Sequence, residues 1–252
     1  MNIQIHKITF YWVNAFIIRT DACTVLWDTG WLPEGETLPA FLEANGFPSD
    51  GQLRLPGGSA PLKIDYIVLS HAHYDHCSLA EDWRALCGAP GAKIIAHERG
   101  FDYLTTGRKA DPFVFNHMAQ ADASFMAFIR DNAPNPMPAC RPDILVGDDG
   151  LDMHAMGFPG RLVYTPGHTA DAMTLVTDDG SVFSGDTISE MHLLGNLQEK
   201  FAPGIFGANW MNIGDDVIRE SCRRILELGD RFYLGHGEPR TREELGELMF
   251  WN

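Results

Sequence analysis

The segment from residue 70 to residue 78 constrains this chain more than any other, because it contains the run His71-Ala72-His73-Tyr74-Asp75-His76-Cys77. Three imidazoles and one carboxylate fall within six consecutive positions, directly after the apolar run 64–69. Imidazole nitrogen and carboxylate oxygen are ligands that Zn²⁺ and similar cations accept, and a catalytic site uses about three protein ligands per ion. The run therefore predicts a catalytic metal site. The alternative is a histidine-rich surface loop, but such loops seldom interleave a carboxylate and follow a core strand.

The spacing of this run has a geometric reason. Residues 64–69 are short, apolar and rich in β-branched side chains, which predicts a buried strand that the ligand segment leaves. In an extended exit His71 and His73 face the same side, because side chains alternate with period two. Residues 79–86 predict a helix, so Asp75 and His76 lie near its start and can face a second ion.

Three downstream strands each end in a glycine-bearing turn beside one ligand-type residue. These turns are Pro166-Gly167-His168-Thr169, Gly185-Asp186 and Gly235-His236-Gly237. Glycine in such places permits a close backbone approach or a positive φ. With the first run they give seven candidate ligands, enough for two ions: His71, His73, Asp75, His76, His168, Asp186 and His236.

These motifs, with an upstream strand that ends Trp27-Asp28-Thr29-Gly30, resemble the five ordered motifs of the metallo-β-lactamase superfamily. The resemblance implies an α/β fold, a four-layer αβ/βα sandwich of two mixed central sheets with helices outside. It also implies a dinuclear metal site at one edge, between the sheets.

The resemblance assigns each residue a role. It implies that the first ion is held by His71, His73 and His168, and the second by Asp75, His76 and His236. Asp186 matches the carboxylate that bridges both ions. Asp28 matches a carboxylate that lies behind the site and orders the ligand loop.

Departures from the family pattern limit which subfamilies of the superfamily this chain resembles. The commonest zinc β-lactamases carry cysteine at the position of Asp186, which disfavours antibiotic hydrolysis here. An aspartate there resembles glyoxalase II, the acyl-homoserine-lactone lactonases, the tRNA-processing nucleases and the diiron flavoproteins. The lactonases have a tyrosine where this chain has Ser189, which argues against a close lactonase relationship. Diiron flavoproteins carry a flavodoxin domain, for which this chain has no room.

Length and composition predict an ordinary soluble enzyme. A chain of 252 residues that is 45% hydrophobic can bury a large core, and we expect one domain over residues 1–252. It has no apolar run of about eighteen residues and no leader pattern, so we expect no membrane partner. Five cysteines without a CxxC pair predict free thiols and a cytoplasmic location.

The charge balance argues against a nucleic-acid partner. The net charge is −15, with 19 basic against 34 acidic side chains, whereas a surface that tracks phosphates needs clustered lysine and arginine. A small-molecule acyl substrate is the predicted partner. The sequence leaves the oligomeric state open, with a homodimer as one arrangement.

Residues 97–142 predict a cap or insertion outside the motif-bearing framework. They are rich in aromatic residues and methionine, among them Phe113 and Phe115, whose apolar faces would line a substrate pocket. The alternative is that these side chains only anchor the insertion to the core. A second candidate wall is residues 191–195 with Phe206, Asn209, Trp210 and Met211, for which core packing is an equal alternative. Of the five remaining histidines, His117 and His192 are the candidates for substrate contact, with a satisfied surface or core histidine as the favoured alternative for both.

The predicted mechanism follows from the ligand chemistry. Two divalent ions about 3.5 to 4 Å apart lower the pKa of a bridging water to about 7 and supply hydroxide at neutral pH. Asp75 is the predicted catalytic residue, as the proton acceptor and orienter beside that water. The sequence thus predicts a hydrolase of a small ester, thioester, lactone or similar acyl compound with two divalent ions, Zn²⁺ in first place and Fe or Mn as alternatives.

Other functions stay open at this point. The same ligands can hold iron in an oxidoreductase of the persulfide dioxygenase type. A phosphodiesterase or nuclease is less favoured because of the charge. A catalytically idle protein that keeps the metal site is disfavoured by the complete ligand set.

Overall fold

The computed structural model describes residues 2–48, 53–87, 91–107, 137–188 and 216–248. They contain two mixed sheets of six strands. The first sheet has its strands in chain order: β1 (Gln4–Phe10), β2 (Val13–Arg19), β3 (Thr24–Trp27), β4 (Tyr66–Val68), β5 (Lys93–His97) and β6 (Ile144–Val146). The pairs from β1 to β3 are antiparallel and those from β3 to β6 are parallel.

The second sheet reads in reverse chain order from β12 to β7. Its strands are β7 (Leu151–Asp152), β8 (Gly160–Tyr164), β9 (Met173–Thr177), β10 (Ser181–Gly185), β11 (Arg231–Leu234) and β12 (Arg240–Thr241). Only β10 and β11 pair in parallel. Since β8 and β10 both run antiparallel to β9, the carboxyl ends of β8, β10 and β11 lie at one edge.

Six α-helices complete the described part of the chain: α1 (Leu38–Ala44), α2 (Tyr74–Cys77), α3 (Ala80–Leu86), α4 (Phe101–Thr106), α5 (Asp216–Glu227) and α6 (Arg242–Leu248). Two 3₁₀ turns span Glu98–Gly100 and His154–Met156. The predicted helix near 79–86 is α3. Asp75 and His76 lie near its start as predicted, but on a separate one-turn helix, α2, that the sequence did not predict.

Side-chain alternation along the strands separates three apolar layers. On β2, Ile17 packs with α1 and α3 on the outer face of the first sheet, whereas Phe16 and Ile18 point between the sheets. On β10, Phe183 points between the sheets and Val182 packs with α5 outside. Helix, sheet, sheet and helix therefore stack in that order, and the predicted αβ/βα sandwich is confirmed.

Several predicted features lie outside the described residues. They include most of the 97–142 segment, with Phe113, Phe115 and His117, and also Ser189, His192 and the candidate wall 191–195 with Phe206, Asn209, Trp210 and Met211. The cap and the single-domain organisation therefore stay predictions. Among the described helices, none is long and apolar enough to cross a membrane. The described cysteines are all free thiols, and Cys77 is buried.

Candidate metal centre

Three imidazoles converge at the edge where β4 and β8 end. Nδ1 of His73 lies 2.9 Å from Nε2 of His71 and 2.9 Å from Nε2 of His168. A pair of ring nitrogens at this distance shares at most one proton, and here one nitrogen makes such a contact with two other rings. Three lone pairs directed at one point form an arrangement that a divalent cation satisfies.

A second group lies beside the first. Oδ2 of Asp75 is 3.5 Å from Nε2 of His236 and 3.9 Å from Nε2 of His76. Asp75 and His76 are on α2, which leaves the first sheet, whereas His236 follows β11 of the second sheet. The two sheets therefore contribute ligands to the same group.

The carboxylate of Asp186 lies between the two groups. Its Oδ2 is 3.1 Å from Nε2 of His236, 3.4 Å from Nε2 of His76 and 3.5 Å from Nε2 of His168. Its Oδ1 and Nε2 of His76 are buried and lack a hydrogen-bond partner within the described ranges. Buried polar atoms are nearly always satisfied, so a pair of cations fits the donor set. The structure thus brings all seven candidate ligands together, and their role as metal ligands stays a prediction.

Asp28 orients one histidine in each group. Its Oδ2 accepts hydrogen bonds from Nδ1 of His76 at 2.8 Å and from Oγ of Ser70 at 2.9 Å, and its Oδ1 accepts one from the Ser70 amide at 2.7 Å. Since the Ser70 hydroxyl donates to Asp28, it accepts from Nδ1 of His71 at 2.9 Å. Both rings are thereby oriented with Nε2 facing the site, the nitrogen that a cation would bind.

A main-chain carbonyl orients His236. Nδ1 of His236 donates to the carbonyl oxygen of Trp12 at 2.7 Å, which leaves Nε2 as the lone-pair donor. Sequence reasoning missed both Trp12 and Ser70. A carbonyl carries no residue-type signal, so Trp12 could not have been found from the sequence. Ser70 directly precedes the ligand run, and its hydroxyl was a signal that could have been used.

Burial and the facing charges set the protonation of the site. Burial lowers the pKa of His71, and it lowers the pKa of His73 to about 4, so both imidazoles are neutral at neutral pH. Burial alone would raise the pKa of Asp186, but the facing His236 and His76 hold it well below its ordinary value. Burial lowers the pKa of His76 and His236 as well, but the facing carboxylates, Asp186 first, outweigh it and raise the pKa of both, so a cation competes with protons for these two rings. His71, His73 and the Asp186 carboxylate are already in the forms that bind a divalent cation.

Two glycines allow the close approach of the second sheet to the ligands. A Cβ at Gly235 would lie 2.4 Å from Oδ1 of Asp186 and 2.9 Å from Cε1 of His76. A Cβ at Gly185, whose φ is +53°, would lie 2.7 Å from Cβ of Ser70. Each glycine is therefore required by the space around the ligands.

Aromatic side chains border the second group. The Trp31 ring centroid is 4.8 Å from that of Trp12 and 5.6 Å from that of Tyr74, the residue between His73 and Asp75. The Tyr11 ring lies 5.7 Å from Trp31, and Tyr11 is 48% exposed. Trp31 and Tyr74 are buried, so Tyr11 on the turn between β1 and β2 is the exposed member of this aromatic group.

With the fold and this geometry established, comparison with known proteins identifies the family. The family model described as "Metallo-beta-lactamase superfamily" matches residues 9–228. The chain belongs to the metallo-beta-lactamase superfamily. The matched range includes six of the seven candidate ligands, and His236 lies beyond its end.

Known members of the superfamily resemble this chain at low identity. "Beta-lactamase-like protein 2 homolog" of Drosophila melanogaster is 25% identical over 248 residues, which cover 96% of this chain and 64% of that protein. The "N-acyl homoserine lactonase AiiB" of Agrobacterium fabrum is 30% identical over 122 residues, 40% of each protein. Both matches span less than two thirds of the relative's own length.

Solved structures support the same fold. The crystal structure of TTHA1623 in a di-iron-bound form has a TM-score of 0.57 and 21% sequence identity to this chain. The structural match covers 99% of this chain and 100% of the TTHA1623 chain. At this identity the likeness supports the fold and leaves the reaction to be argued from the site.

Proposed function

We propose that this chain is a metal-dependent hydrolase that cleaves a small acyl substrate, an ester, thioester or lactone, with two divalent ions. The observation that carries the proposal is the position of Asp186. Its Oδ2 lies within 3.5 Å of ring nitrogens from both histidine groups, where a single carboxylate would bridge two cations. A bridging carboxylate offsets the repulsion between two cations and fixes their separation.

Divalent ions bound here would supply a water of lowered pKa and positive charge beside a substrate carbonyl. His71, His73 and His168 would hold one ion, Asp75, His76 and His236 the other, and Asp186 both. Asp28 and Ser70 keep the imidazoles in the tautomers that leave Nε2 free. The seven ligands thus account for metal binding, and Asp28 and Ser70 account for the orientation of the imidazole rings.

Asp75 is the proposed proton acceptor. Its side chain is 13% exposed, compared with 7% for Asp186 and 0% for Asp28, so of these three carboxylates it is the one most accessible to water. Its Oδ2 lies 3.5 Å from Nε2 of His236 and 3.9 Å from Nε2 of His76, where it would face a water held by the bound ions. A general base must lie within hydrogen-bond reach of the proton that it accepts.

Charge and surface chemistry support a small, weakly charged substrate rather than nucleic acid. A net charge of −15 repels polyanions at a distance. Tyr11, which is 48% exposed and packs against the buried Trp31, offers apolar contact area for an acyl group. The relative named as an N-acyl homoserine lactonase supports acyl chemistry in general, while Ser189 argues against a close lactonase. A cytoplasmic location and one domain over residues 1–252 belong to the same proposal, and the oligomeric state is left open, with a homodimer as one arrangement.

Zinc is the proposed metal, and iron is the second candidate. Imidazole and carboxylate ligands accept both metals. The structural neighbour TTHA1623 has a di-iron-bound form, which keeps an oxidoreductase of the persulfide dioxygenase type as the alternative function.

A substrate panel tests the proposal. Protein loaded with Zn²⁺, and separately with Fe²⁺ under anaerobic conditions, is assayed against thioesters, esters, lactones, phosphodiesters and a β-lactam, and for oxygen consumption with a persulfide. We expect hydrolysis of an acyl compound that Asp75→Asn removes and that Asp148→Asn, at a carboxylate paired with Arg99, leaves unchanged. Oxygen consumption with the iron form, without hydrolysis by either form, would favour the alternative.

A further inference from the structure

Asn14 is a buried polar residue on β2 of the first sheet, and it contacts the opposite sheet. Its amide N–H donates to the carbonyl of Gly235 at 2.7 Å. Its side-chain Nδ2 donates to the carbonyls of Leu234 at 3.0 Å and Gly237 at 2.7 Å. One residue of the first sheet thus satisfies three carbonyls that surround His236 in sequence.

The same hairpin also contacts the His236 ring. The carbonyl of Trp12 accepts the hydrogen bond from Nδ1 of His236, two residues before Asn14. Residues 12 and 14 therefore make four hydrogen bonds to the segment 234–237. Together these bonds set both the main chain and the ring of one candidate ligand.

The orientation of the Asn14 amide is itself determined. Thr9, the partner of Asn14 across the β1–β2 ladder, donates from Oγ1 to Oδ1 of Asn14 at 2.8 Å. This bond assigns the oxygen to the β1 side, so Nδ2 faces the 234–237 segment. A buried amide whose donors and acceptor are all used has one favourable orientation.

The His236 segment needs such a restraint because of its sequence. Glycine flanks His236 on both sides, and Gly237 has a φ of +107°. Gly235 is required because of the close approach of Asp186, but glycine also gives the segment more conformational freedom than other residues would. The bonds from Asn14 restrict that freedom on both sides of the ligand.

The two histidines of the second group differ in how they are held. His76 is held from within the first sheet, since its carbonyl accepts hydrogen bonds from the amide and hydroxyl of Thr29. His236 belongs to the second sheet and is held by the first. We propose that Asn14 is a positioning residue that sets His236 for the second ion and thereby tunes the affinity of that site alone. This role rests on the two-metal site proposed above.

The experiment measures stepwise Zn²⁺ affinity by competition with a chromogenic chelator on the full chain. Asn14→Leu keeps a similar volume and removes the hydrogen bonds of the amide. Asn14→Asp keeps the shape and places a carboxylate against two carbonyls. Thr9→Val leaves Asn14 in place and removes only the bond that orients it.

We expect the second Zn²⁺ to bind about 10 to 100-fold more weakly in both Asn14 variants, the usual range for groups that orient a ligand, with the first Zn²⁺ unaffected. Thr9→Val should also weaken binding of the second Zn²⁺, but by less than either Asn14 variant. The matched control is Phe158→Leu, a buried residue between the sheets, which should lower Tm without changing the ratio of the two affinities. If Asn14→Leu does not fold, the Zn²⁺ titration of Thr9→Val decides whether the Asn14 amide positions His236.

Two outcomes overturn the inference and separate it from the function. If the parent binds two ions and the folded variants keep the parent's second affinity, or lose both affinities equally, the Asn14 role is wrong while the two-metal site stands. If the parent binds only one ion, the two-metal site and the role of Asn14 both fail.

Discussion

Oδ2 of Asp28 lies 2.8 Å from Nδ1 of His76, and neither side chain is exposed to solvent. Burial raises the pKa of Asp28, and the hydrogen bonds from His76 and Ser70 oppose that rise. The same carboxylate reaches His71 through the Ser70 hydroxyl. One buried acid therefore orients a candidate ligand of each ion.

Asp28→Asn tests this arrangement. The amide presents an N–H₂ or a weaker acceptor to His76 and Ser70, so the tautomers of His76 and His71 are no longer fixed. We expect metal affinity and kcat/KM to fall about 10 to 100-fold. The control is Asp65→Asn, at a carboxylate that caps the Thr24 amide away from the ligands, and it should leave both quantities unchanged. Equal effects of the two variants would contradict the orienting role.

Asp186→Asn should cost more activity than Asp28→Asn. The amide keeps the shape of the side chain but removes the negative charge between the two groups, so the fold should survive while the paired cations repel each other. Metal content and kcat are measured for both variants on the best panel substrate. Two bound metals with near-normal turnover in Asp186→Asn would show that this carboxylate does not bridge.

Gly235→Ala should disrupt the site by steric clash, since alanine adds only a methyl group. The new Cβ would lie 2.4 Å from Oδ1 of Asp186, so either that carboxylate or the β11 exit must move. We expect weaker metal binding and a lower Tm. Gly246→Ala is the matched control, because Gly246 lies in α6 with nothing within 4 Å of its Cβ position, and alanine there should raise stability by about 0.5 to 1 kcal/mol. Similar behaviour of both variants would contradict the crowding argument.

The sequence predicts the parts of the centre that depend on residue type. Seven candidate ligands stand at strand exits, and parallel or alternating strands bring those exits to one edge. Contacts between residues of one sheet and residues of the other could not be predicted from residue type. The carbonyl of Trp12 and the amide of Asn14 act on His236 from 224 and 222 positions away in sequence, and which pairs meet is decided by how the two sheets pack. The separate helix α2 was missed because its four residues are too few for a periodic pattern.

The metal-free protein should lose stability in mild acid partly through His73. Burial lowers the pKa of His73 to about 4, from an ordinary value of 6.5 for histidine. The unfolded chain therefore binds this proton first, and the stability that the neutral imidazole provides is full above pH 6.5 and is lost as the pH falls toward about 4. We expect His73→Gln to flatten the fall in the free energy of unfolding across this window, measured by urea denaturation. Parallel curves for parent and variant would contradict the assigned pKa direction.

The claim that organises this account is that the chain holds two metal ions through Asp186 and the two groups beside it. Elemental analysis of metal-loaded and exhaustively dialysed protein tests it most directly, with His71→Ala as the variant that empties one group. The account predicts close to two ions per chain in the parent and about one in the variant. One ion or none in the parent would contradict it.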